Sequence, residues 1–257
     1  MATPRVLILR APGTNCNEET AYAWEQAGAS CETWHLSRLL ADASQISKFQ
    51  VLTIPGGFSY GDDLGAGRIF ATRLGTVLGE EVRKLRDRGG LILGICNGFQ
   101  VLVRAGLLPE NSEIGPVTLT RNDSGHFEDR WTRLAPVPGR SPFLTSAEPL
   151  EFPSAHGEGK FLTKSAEDLE RLQQAGQIVL RYIDAEGNPT QSFPQNPNGS
   201  AGAVAGMCDP TGQILGLMPH PERHVLPYHH PRWTRSELRA EGDGMRLFRS
   251  AVASLSE

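Results

Sequence analysis

Apolar segments that alternate with helix-forming segments constrain the fold of this chain most strongly. VLIL (6–9) and LILGI (91–95) form continuous apolar runs, which are typical of parallel strands that helices cover on both faces. Up to Leu107, the predicted elements are, in order, strand 6–9, helix 17–28, strand 31–36, strand 50–54, helix 70–90 and strand 91–95. This alternation predicts a doubly wound, flavodoxin-like α/β fold with a mostly parallel sheet flanked by helices, and ligands at the carboxyl ends of its strands.

The pattern changes after Pro109, where shorter predicted strands are separated by glycine, proline and asparagine. We expect an antiparallel β extension packed on the same core, so that residues 1–257 form a single domain. Two apolar segments around the turn sequence DPTG predict a hairpin, and GDGMRLFRSAVASL predicts a closing amphipathic helix. The segment QSFPQNPNGS is interpreted as a surface loop, and residues 226–242 as an irregular insertion before the last helix.

The composition excludes several classes of protein. With 257 residues, 39% hydrophobic and 21% charged, the chain has the composition of an ordinary globular protein. A net charge of −4 gives no reason to expect nucleic acid or an anionic membrane as partner. No apolar run is long enough for a signal peptide or a membrane span. Four scattered cysteines without a CxxC pair predict neither a disulfide framework nor a structural zinc site, and a cytoplasmic location is expected.

The segment LILGICNGFQVL places Cys96 between a predicted strand and a helical pattern. Gly94 and Gly98 flank it at the spacing of a nucleophile elbow, where small neighbours allow the sharp turn that exposes a nucleophile. The N-terminus of the following helix would favour the thiolate, and the amide of Asn97 would point into the site. The alternative is a buried structural cysteine in an ordinary strand–helix connection.

A cysteine nucleophile needs a base, and MPHPE supplies His220 with Glu222 two residues later. In an extended backbone, which Pro221 favours, residues two apart face the same side, so Glu222 could orient the imidazole. AHGEG offers His156 and Glu158 at the same spacing, but its glycines predict a more flexible hairpin tip or loop. We therefore favour the first pair, with a surface ion pair as the structural alternative.

The glycine-rich loop PGGFSYGDDLGAG follows a predicted buried strand. Gly56 and Gly57 permit a close backbone approach and a positive φ, so their amides could converge as an oxyanion hole for a tetrahedral intermediate. The alternative is a nucleotide phosphate loop, but neither GxGxxG nor GxxxxGK[ST] is present. Asp62 and Asp63 are interpreted as loop caps or solvated charges and not as magnesium ligands.

A histidine-rich segment raises the question of a metal site. Its members are His220, His224, His229 and His230. Pro221 and Pro227 interrupt any helical pairing of these side chains and no cysteine lies nearby, so no metal is expected. The other three cysteines, Cys16, Cys31 and Cys208, are interpreted as structural, although Cys16 lies at the carboxyl end of a strand.

These motifs, in this order, resemble those of the class I (triad) glutamine amidotransferases. Within that superfamily, the chain closely resembles the glutaminase component of phosphoribosylformylglycinamidine synthase, an enzyme of purine biosynthesis. The segments that carry the resemblance span nearly the whole chain: LRAPGTNCNEET, PGGFSYGDDLGAG, GICNGFQVL, RNDSGHFEDRW, AHGEGKF and MPHPER. Because the chain starts at its first strand, it resembles the free-standing subunit and not the fused large enzyme.

The resemblance implies a role for each matching residue. Cys96 would attack the side-chain amide of L-glutamine, His220 would carry the proton to ammonia, and Glu222 would orient His220. Backbone amides of Gly57 and Asn97 would hold the oxyanion. The full set of implied oxyanion and substrate-binding residues is Gly56, Gly57, Phe58, Asn97, Gln100, Asn122, Ser124 and Phe127.

The resemblance also implies partners. Ammonia would pass to a separate synthetase subunit that uses ATP and Mg²⁺ to convert formylglycinamide ribonucleotide to the amidine, with a small third subunit bridging the assembly. No cofactor is expected in this chain itself. The basic segment 226–242 is expected to be a partner contact or an additional lid. The alternative function is an independent cysteine hydrolase of γ-glutamyl amides. A non-enzymatic module with this fold would be expected to lack triad residues, and all three are present.

Overall fold

The computed structural model describes residues 3–110, 114–235 and 239–255. The α-helices are α1 (Asn17–Gln26), α2 (Leu36–Ala41), α3 (Arg68–Arg73), α4 (Gly79–Asp87), α5 (Asn97–Arg104), α6 (Ala166–Gln174) and α7 (Gly244–Ser254). The strands are β1 (Arg5–Arg10), β2 (Ser30–His35), β3 (Val51–Ile54), β4 (Leu91–Ile95), β5 (Val117–Thr120), β6 (Glu128–Pro136), β7 (Leu150–His156), β8 (Lys160–Thr163), β9 (Ile178–Tyr182), β10 (Val204–Cys208) and β11 (Ile214–Leu217). No helix in these ranges is long and apolar enough to cross a bilayer.

Within the described residues, a nine-stranded sheet has the order β2-β1-β3-β4-β11-β10-β9-β6-β7. The strands from β2 to β11 pair in parallel. From β11 onward the pairs are antiparallel, and β5 and β8 form a separate antiparallel pair. The structure therefore confirms the predicted mostly parallel α/β sheet with an antiparallel extension.

The burial of the strands follows from their place in this sheet. β3 and β4 are buried at every position, as expected for parallel strands covered on both faces. One hydrophobic core joins side chains from both halves of the sheet. In this core, Trp24 of α1 packs edge-on against Phe248 of α7, with the ring centroids 5.1 Å apart. The predicted hairpin (β10 and β11) and closing helix (α7) are both confirmed.

The predicted helices differ from the structure in two respects. The predicted helix 70–90 is divided into α3, a π-turn over Leu74–Leu78 and α4. Gly75 of this π-turn lies against the backbone of Ala105 after α5, a contact that helical periodicity does not encode. Helices α2 and α6 are not among the predicted elements. Ser165 caps α6 by accepting a hydrogen bond from the Asp168 amide.

The segment QSFPQNPNGS is not simply a surface loop, because its second half is buried. Asn196, Asn198 and Ser200 are at most 1% exposed. Their side chains bond to one another and to the neighbouring backbone, and the Ser200 hydroxyl accepts a hydrogen bond from the Phe161 amide of β8. Polar residues that satisfy buried backbone groups have the same composition as a solvated loop, so composition misled the interpretation.

The predicted insertion at 226–242 is irregular in its described part. It contains 3₁₀ turns at Pro227–His229 and Trp233–Arg235. Residues 236–238 lie outside the described residues.

The turn between β4 and α5 has the geometry of the predicted elbow. Cys96 has φ 50° and ψ −103°, a conformation that residues with a side chain seldom adopt. Its N–H donates to the Leu217 carbonyl of β11 at 2.8 Å. A Cβ on Gly98 would lie only 1.9 Å from the Ile54 carbonyl oxygen, and one on Gly94 would lie 2.7 Å from the Gly98 carbonyl oxygen. The two glycines therefore allow α5 to start directly against β3 and β4.

Replacement of Gly98 tests this close packing. Gly98→Ala forces a methyl group into the Ile54 carbonyl, so we expect a loss of about 3 kcal/mol in the free energy of unfolding. Urea denaturation followed by circular dichroism measures the loss. Gly157→Ala is the matched control, because an added Cβ there meets nothing within 4 Å. Equal stability of the two variants would contradict the proposed packing role.

Candidate active site

A cavity of about 230 Å³ lies at the carboxyl ends of the parallel strands. The predicted residues that line it are Gly57, Phe58, Cys96, Gln100, Phe127 and His220. The cavity is also lined by residues that the sequence interpretation did not assign to the site: Asn15, Cys16, Asp62, Ala66, Ala155, His156, Gly157, Glu158 and Arg223.

Cys96 is mostly buried but opens into this cavity. Cys96 is only 5% exposed, and its thiol donates a hydrogen bond to the Ala155 carbonyl of β7 at 3.6 Å. The two interpretations of this cysteine are therefore not exclusive, because a thiol can be sheltered from bulk water and still line a cavity. The strained backbone at Cys96 fits a functional constraint better than simple packing.

His220 and Glu222 form a buried pair beside this thiol. The imidazole Nδ1 lies 2.6 Å from the Glu222 carboxylate, and both residues are at most 2% exposed. The acceptor-only carboxylate fixes the proton on Nδ1 and leaves Nε2 free to accept another. Within the described residues, His220 Nε2 has no hydrogen-bond partner. The arrangement can therefore accept a proton at Nε2 and stabilise the resulting imidazolium.

The charge balance around His220 favours protonation. Burial by itself lowers the pKa of His220, but the Glu222 carboxylate and the nearby Cys96 and Cys16 outweigh burial and raise this pKa well above its usual value. An imidazolium beside a thiol favours the thiolate, which is the nucleophilic form.

The path from His220 to Glu222 is not the extended backbone that the sequence suggested. Residues Pro221–Arg223 form a 3₁₀ turn with the proline in its first turn. The turn, and not strand alternation, brings the carboxylate back to the imidazole. A single proline fixes φ without specifying whether the segment is extended or helical, so the sequence could not decide between the two.

Two backbone N–H groups are candidates for the predicted oxyanion hole, one in the loop after β3 and one at the start of α5. Gly57 has φ 142° and lines the cavity, and within the described residues its N–H has no acceptor. The N–H of Asn97, the residue after Cys96, is the first of α5 and is likewise unpaired within that set, although Asn97 itself does not line the cavity. Two unpaired amides beside a nucleophile can stabilise a developing oxyanion.

Two other members of the predicted oxyanion set have different positions. The Phe58 N–H donates to the Gly13 carbonyl at 2.9 Å, so this amide is not available to an oxyanion. Phe58 lines the cavity and is half-exposed. Gly56 does not line the cavity. A Cβ there would lie 2.7 Å from His220 Cε1, so this glycine makes room for the imidazole.

The predicted glutamine-binding residues divide into two groups. Gln100 and Phe127 line the cavity, and the Phe127 ring lies 6.2 Å from that of Phe58. Asn122 and Ser124 do not line it. The Asn122 amide is buried and donates to the carbonyls of His126 and His156, while Ser124 accepts a hydrogen bond from the His126 amide. These two side chains support the loop and do not face a substrate in the cavity.

The predicted loop is confined to residues 157–159, and His156 before it is part of the cavity wall. This histidine ends β7, is 3% exposed, and lies between two amides. The Asn198 amide donates to Nε2 at 3.4 Å, so Nδ1 carries the proton and donates to the Asn122 oxygen at 3.1 Å. Burial, and then the charge of nearby His220, lower the pKa of His156 to about 4.

Cys16 also lines the cavity, which the structural interpretation of this cysteine did not anticipate. Its sulfur accepts a hydrogen bond from the Arg223 guanidinium at 3.0 Å and lies against Gly56 and the His220 ring. The sequence signal was its position after β1, at the same sheet edge as Cys96. Cys31 and Cys208 do not line the cavity, and burial raises the pKa of each to about 12.

The described residues contain one group with the geometry to hold a metal ion. Cys16, His220 and Glu222 each place a ligand atom within 4.8 Å of the others. The Arg223 guanidinium at the Cys16 sulfur would repel a cation, and the short His220–Glu222 hydrogen bond already occupies Nδ1. The donor set therefore suits proton transfer better than metal binding.

The strand–cysteine–helix turn, the buried His–Glu pair and the two unpaired amides define a thiol-dependent acyl-transfer site of the amidase type. The chain belongs to the CobB/CobQ-like glutamine amidotransferase family, whose model matches residues 3–254. The resemblance to class I glutamine amidotransferases is thereby confirmed.

Named relatives cover the whole chain. The sequence is 47% identical over 254 residues to the phosphoribosylformylglycinamidine synthase subunit PurQ of Dehalococcoides mccartyi, with 98% of both chains covered. It is 38% identical over 263 residues to the subunit of the same name from Methanococcus maripaludis, with 97% of this chain and 96% of that one covered. Among solved structures, it is similar to a chain of PurLQS from Thermotoga maritima, with a TM-score of 0.72, 31% identity and 99% and 100% coverage.

Alkylation kinetics test the pairing of His220 with Cys96. In His220→Ala the thiol loses its imidazolium neighbour, so we expect iodoacetamide to modify Cys96 about tenfold more slowly at neutral pH. Peptide mass spectrometry separates Cys96 from Cys16. His229→Ala, outside the cavity, serves as control. Unchanged kinetics at Cys96 in His220→Ala would contradict the pairing.

The pH dependence of stability tests the neutral state of His156. The unfolded chain binds a proton at this residue below about pH 6.5, whereas the folded chain does so only near pH 4. This residue therefore leaves stability unchanged above pH 6.5 and lowers it as the pH falls toward 4, by about 1.4 kcal/mol per pH unit. In His156→Gln, the free energy of unfolding from urea titrations at pH 7 and pH 5 should lack this pH-dependent decrease. The control His35→Gln, at a solvent-accessible histidine, should keep the decrease. An equal decrease in both variants would contradict the role of His156.

Proposed function

We propose that this chain is the glutaminase subunit of phosphoribosylformylglycinamidine synthase, which hydrolyses L-glutamine and supplies ammonia to a synthetase subunit in purine biosynthesis. The observation that carries the proposal is the Cys96–His220–Glu222 arrangement in a chain that matches PurQ relatives over 98% of its length. The cavity volume of about 230 Å³ fits a small amino acid.

The first half of the reaction forms a thioester. His220 Nε2 takes the proton of the Cys96 thiol, and the sulfur attacks the side-chain amide carbon of glutamine. The carbonyl π electrons move to oxygen, where the amides of Gly57 and Asn97 stabilise the negative charge. As the intermediate collapses, the imidazolium donates its proton to the departing nitrogen, the C–N bond breaks, and ammonia leaves the γ-glutamyl thioester.

The second half releases glutamate. His220 takes a proton from water, whose oxygen attacks the thioester carbon, and the same two amides hold the second oxyanion. The C–S bond then breaks, the thiol regains its proton, and glutamate leaves. Glu222 accepts the Nδ1–H hydrogen bond throughout, so the ring keeps the orientation and tautomer that both steps need.

The fate of ammonia defines the partners. The synthetase subunit would bind ATP and Mg²⁺ and transfer the nitrogen to formylglycinamide ribonucleotide, so this chain needs no cofactor of its own. The similarity to a chain in the Thermotoga maritima PurLQS structure supports such an assembly, and a small bridging subunit would complete it. The described part of segment 226–242 carries several arginines at the surface and is available for a partner contact.

Replacement of the nucleophile tests the function. Cys96→Ser, assembled with the synthetase and bridging subunits, should lose more than about 1,000-fold of glutamine-dependent synthesis, because the weaker nucleophile cannot form the thioester. Synthesis from ammonium chloride, measured with ATP, Mg²⁺ and formylglycinamide ribonucleotide, should remain. Cys31→Ser, a partly buried cysteine away from the cavity, is the matched control.

The same assay separates the alternative function. Intact glutamine-dependent synthesis in Cys96→Ser would contradict the mechanism. Full hydrolysis of γ-glutamyl amides by the isolated wild-type chain, with no stimulation by the synthetase, would instead favour an independent cysteine hydrolase.

A further inference from the structure

The cavity contains two carboxylates that the reaction does not use. Asp62, from the loop after β3, and Glu158, between β7 and β8, both line it together with Cys96. Glu158 Oε2 accepts a long hydrogen bond from the Ala66 amide at 3.4 Å and lies 3.7 Å from the Arg104 guanidinium. Within the described residues, its Oε1 accepts no hydrogen bond, so one oxygen remains free for a ligand.

A hydrogen-bond chain links the first turn of α5 to the Asp62 carboxylate and to the backbone of Glu158. The Asn97 amide nitrogen lies 2.9 Å from Gln100 Oε1 and 3.4 Å from Asp62 Oδ1. The Gln100 amide nitrogen donates to the Glu158 carbonyl at 2.5 Å. Because both ends of the Gln100 amide are engaged, this side chain is held in place and is poorly suited to neutralise a charged ligand by itself.

Asp62 and Glu158 place two carboxylates beside one guanidinium, that of Arg104, which lies 3.7 Å from Glu158 Oε2. Burial raises the pKa of Asp62, and the neighbouring Glu158 charge raises it further. The Arg223 guanidinium also lines the cavity, but it bonds to the Cys16 sulfur and lies 3.6 Å from the Glu19 carboxylate. A bound cation would relieve the repulsion between Asp62 and Glu158.

The reacting end of the substrate is fixed by different groups. The Cys96 thiol and the buried, unpartnered Nε2 of His220 lie in the same cavity and mark where the amide reacts. In glutamine, two methylene groups and Cα separate the amide carbon from the α-ammonium group. Gln100 lies about one helical turn after Cys96 and bonds to the Glu158 backbone, so we expect the ammonium end of a glutamine bound at the thiol to reach this part of the cavity.

We propose that Glu158, with Asp62 beside it, binds the α-ammonium group of glutamine and makes the cavity selective for the free amino acid. The inference rests on the proposed function and concerns the recognition of its substrate. A charge-assisted hydrogen bond to Glu158 distinguishes L-glutamine from glutaramic acid, which lacks the α-amino group, and from glutamine whose amino group is acylated.

The contact between Glu158 and the α-ammonium group can be tested by removing the carboxylate from the enzyme and the amino group from the substrate. In the complete assembly, Glu158→Gln should lower kcat/KM for L-glutamine about 100-fold, mainly through KM, because the ammonium loses its counter-charge. The same variant should leave the slow hydrolysis of glutaramic acid within about threefold of wild type. Asp62→Asn should show the same pattern with a smaller loss.

Controls distinguish recognition from structural damage. Glu158→Asp should recover part of the selectivity for L-glutamine, and the exposed Glu186→Gln should behave as wild type. Calorimetry of L-glutamine binding to Cys96→Ser and to Cys96→Ser/Glu158→Gln should show about 100-fold weaker binding in the double variant.

The outcomes separate this inference from the function on which it rests. An equal loss with both substrates, or no loss with L-glutamine, would overturn the role of Glu158 while glutamine hydrolysis by the wild-type assembly stands. Absence of glutamine hydrolysis by the wild-type assembly would overturn the proposed function itself.

Discussion

The contact between Gly98 and the Ile54 carbonyl is the constraint on which the site depends. Because no side chain separates α5 from the end of β3, the first turn of the helix lies directly on the sheet edge. This packing places Cys96 at the turn, with the Asn97 amide next to it and the Gly57 loop opposite. The strained conformation of Cys96 is maintained by the Leu217 carbonyl, which accepts its N–H from the neighbouring strand.

Two buried histidines near this turn have opposite electrostatic environments. Glu222 outweighs the cost of burying an imidazolium and favours protonation of His220, whereas His156 has only neutral amides as partners and stays uncharged. The group at the ring nitrogen therefore decides whether a buried histidine suits the proposed proton transfer, as at His220, or only lines the cavity, as at His156. For His156, this protonation state depends on residues distant in sequence, Asn122 and Asn198.

Much of the fold could be predicted from the sequence because local patterns determine it. Continuous apolar runs marked the parallel strands, and the glycines around Cys96 marked the elbow. The site was predicted where a motif lay at the end of a strand. It was missed where tertiary contacts decide, as for Cys16, Glu158 and the buried amide of Asn122, whose positions depend on segments that meet only after folding.

β7 belongs to the antiparallel half of the sheet and nevertheless contacts the active site. It is the last strand of the sheet, yet its Pro153 carbonyl accepts the N–H of His220 and its Ala155 carbonyl accepts the thiol of Cys96. Both halves of the sheet therefore contribute backbone groups to the same site. A chimera of two homologues joined near Pro109 would combine the nucleophile of one protein with the carbonyl groups of another, so we expect it to lose the contacts that hold Cys96 and His220.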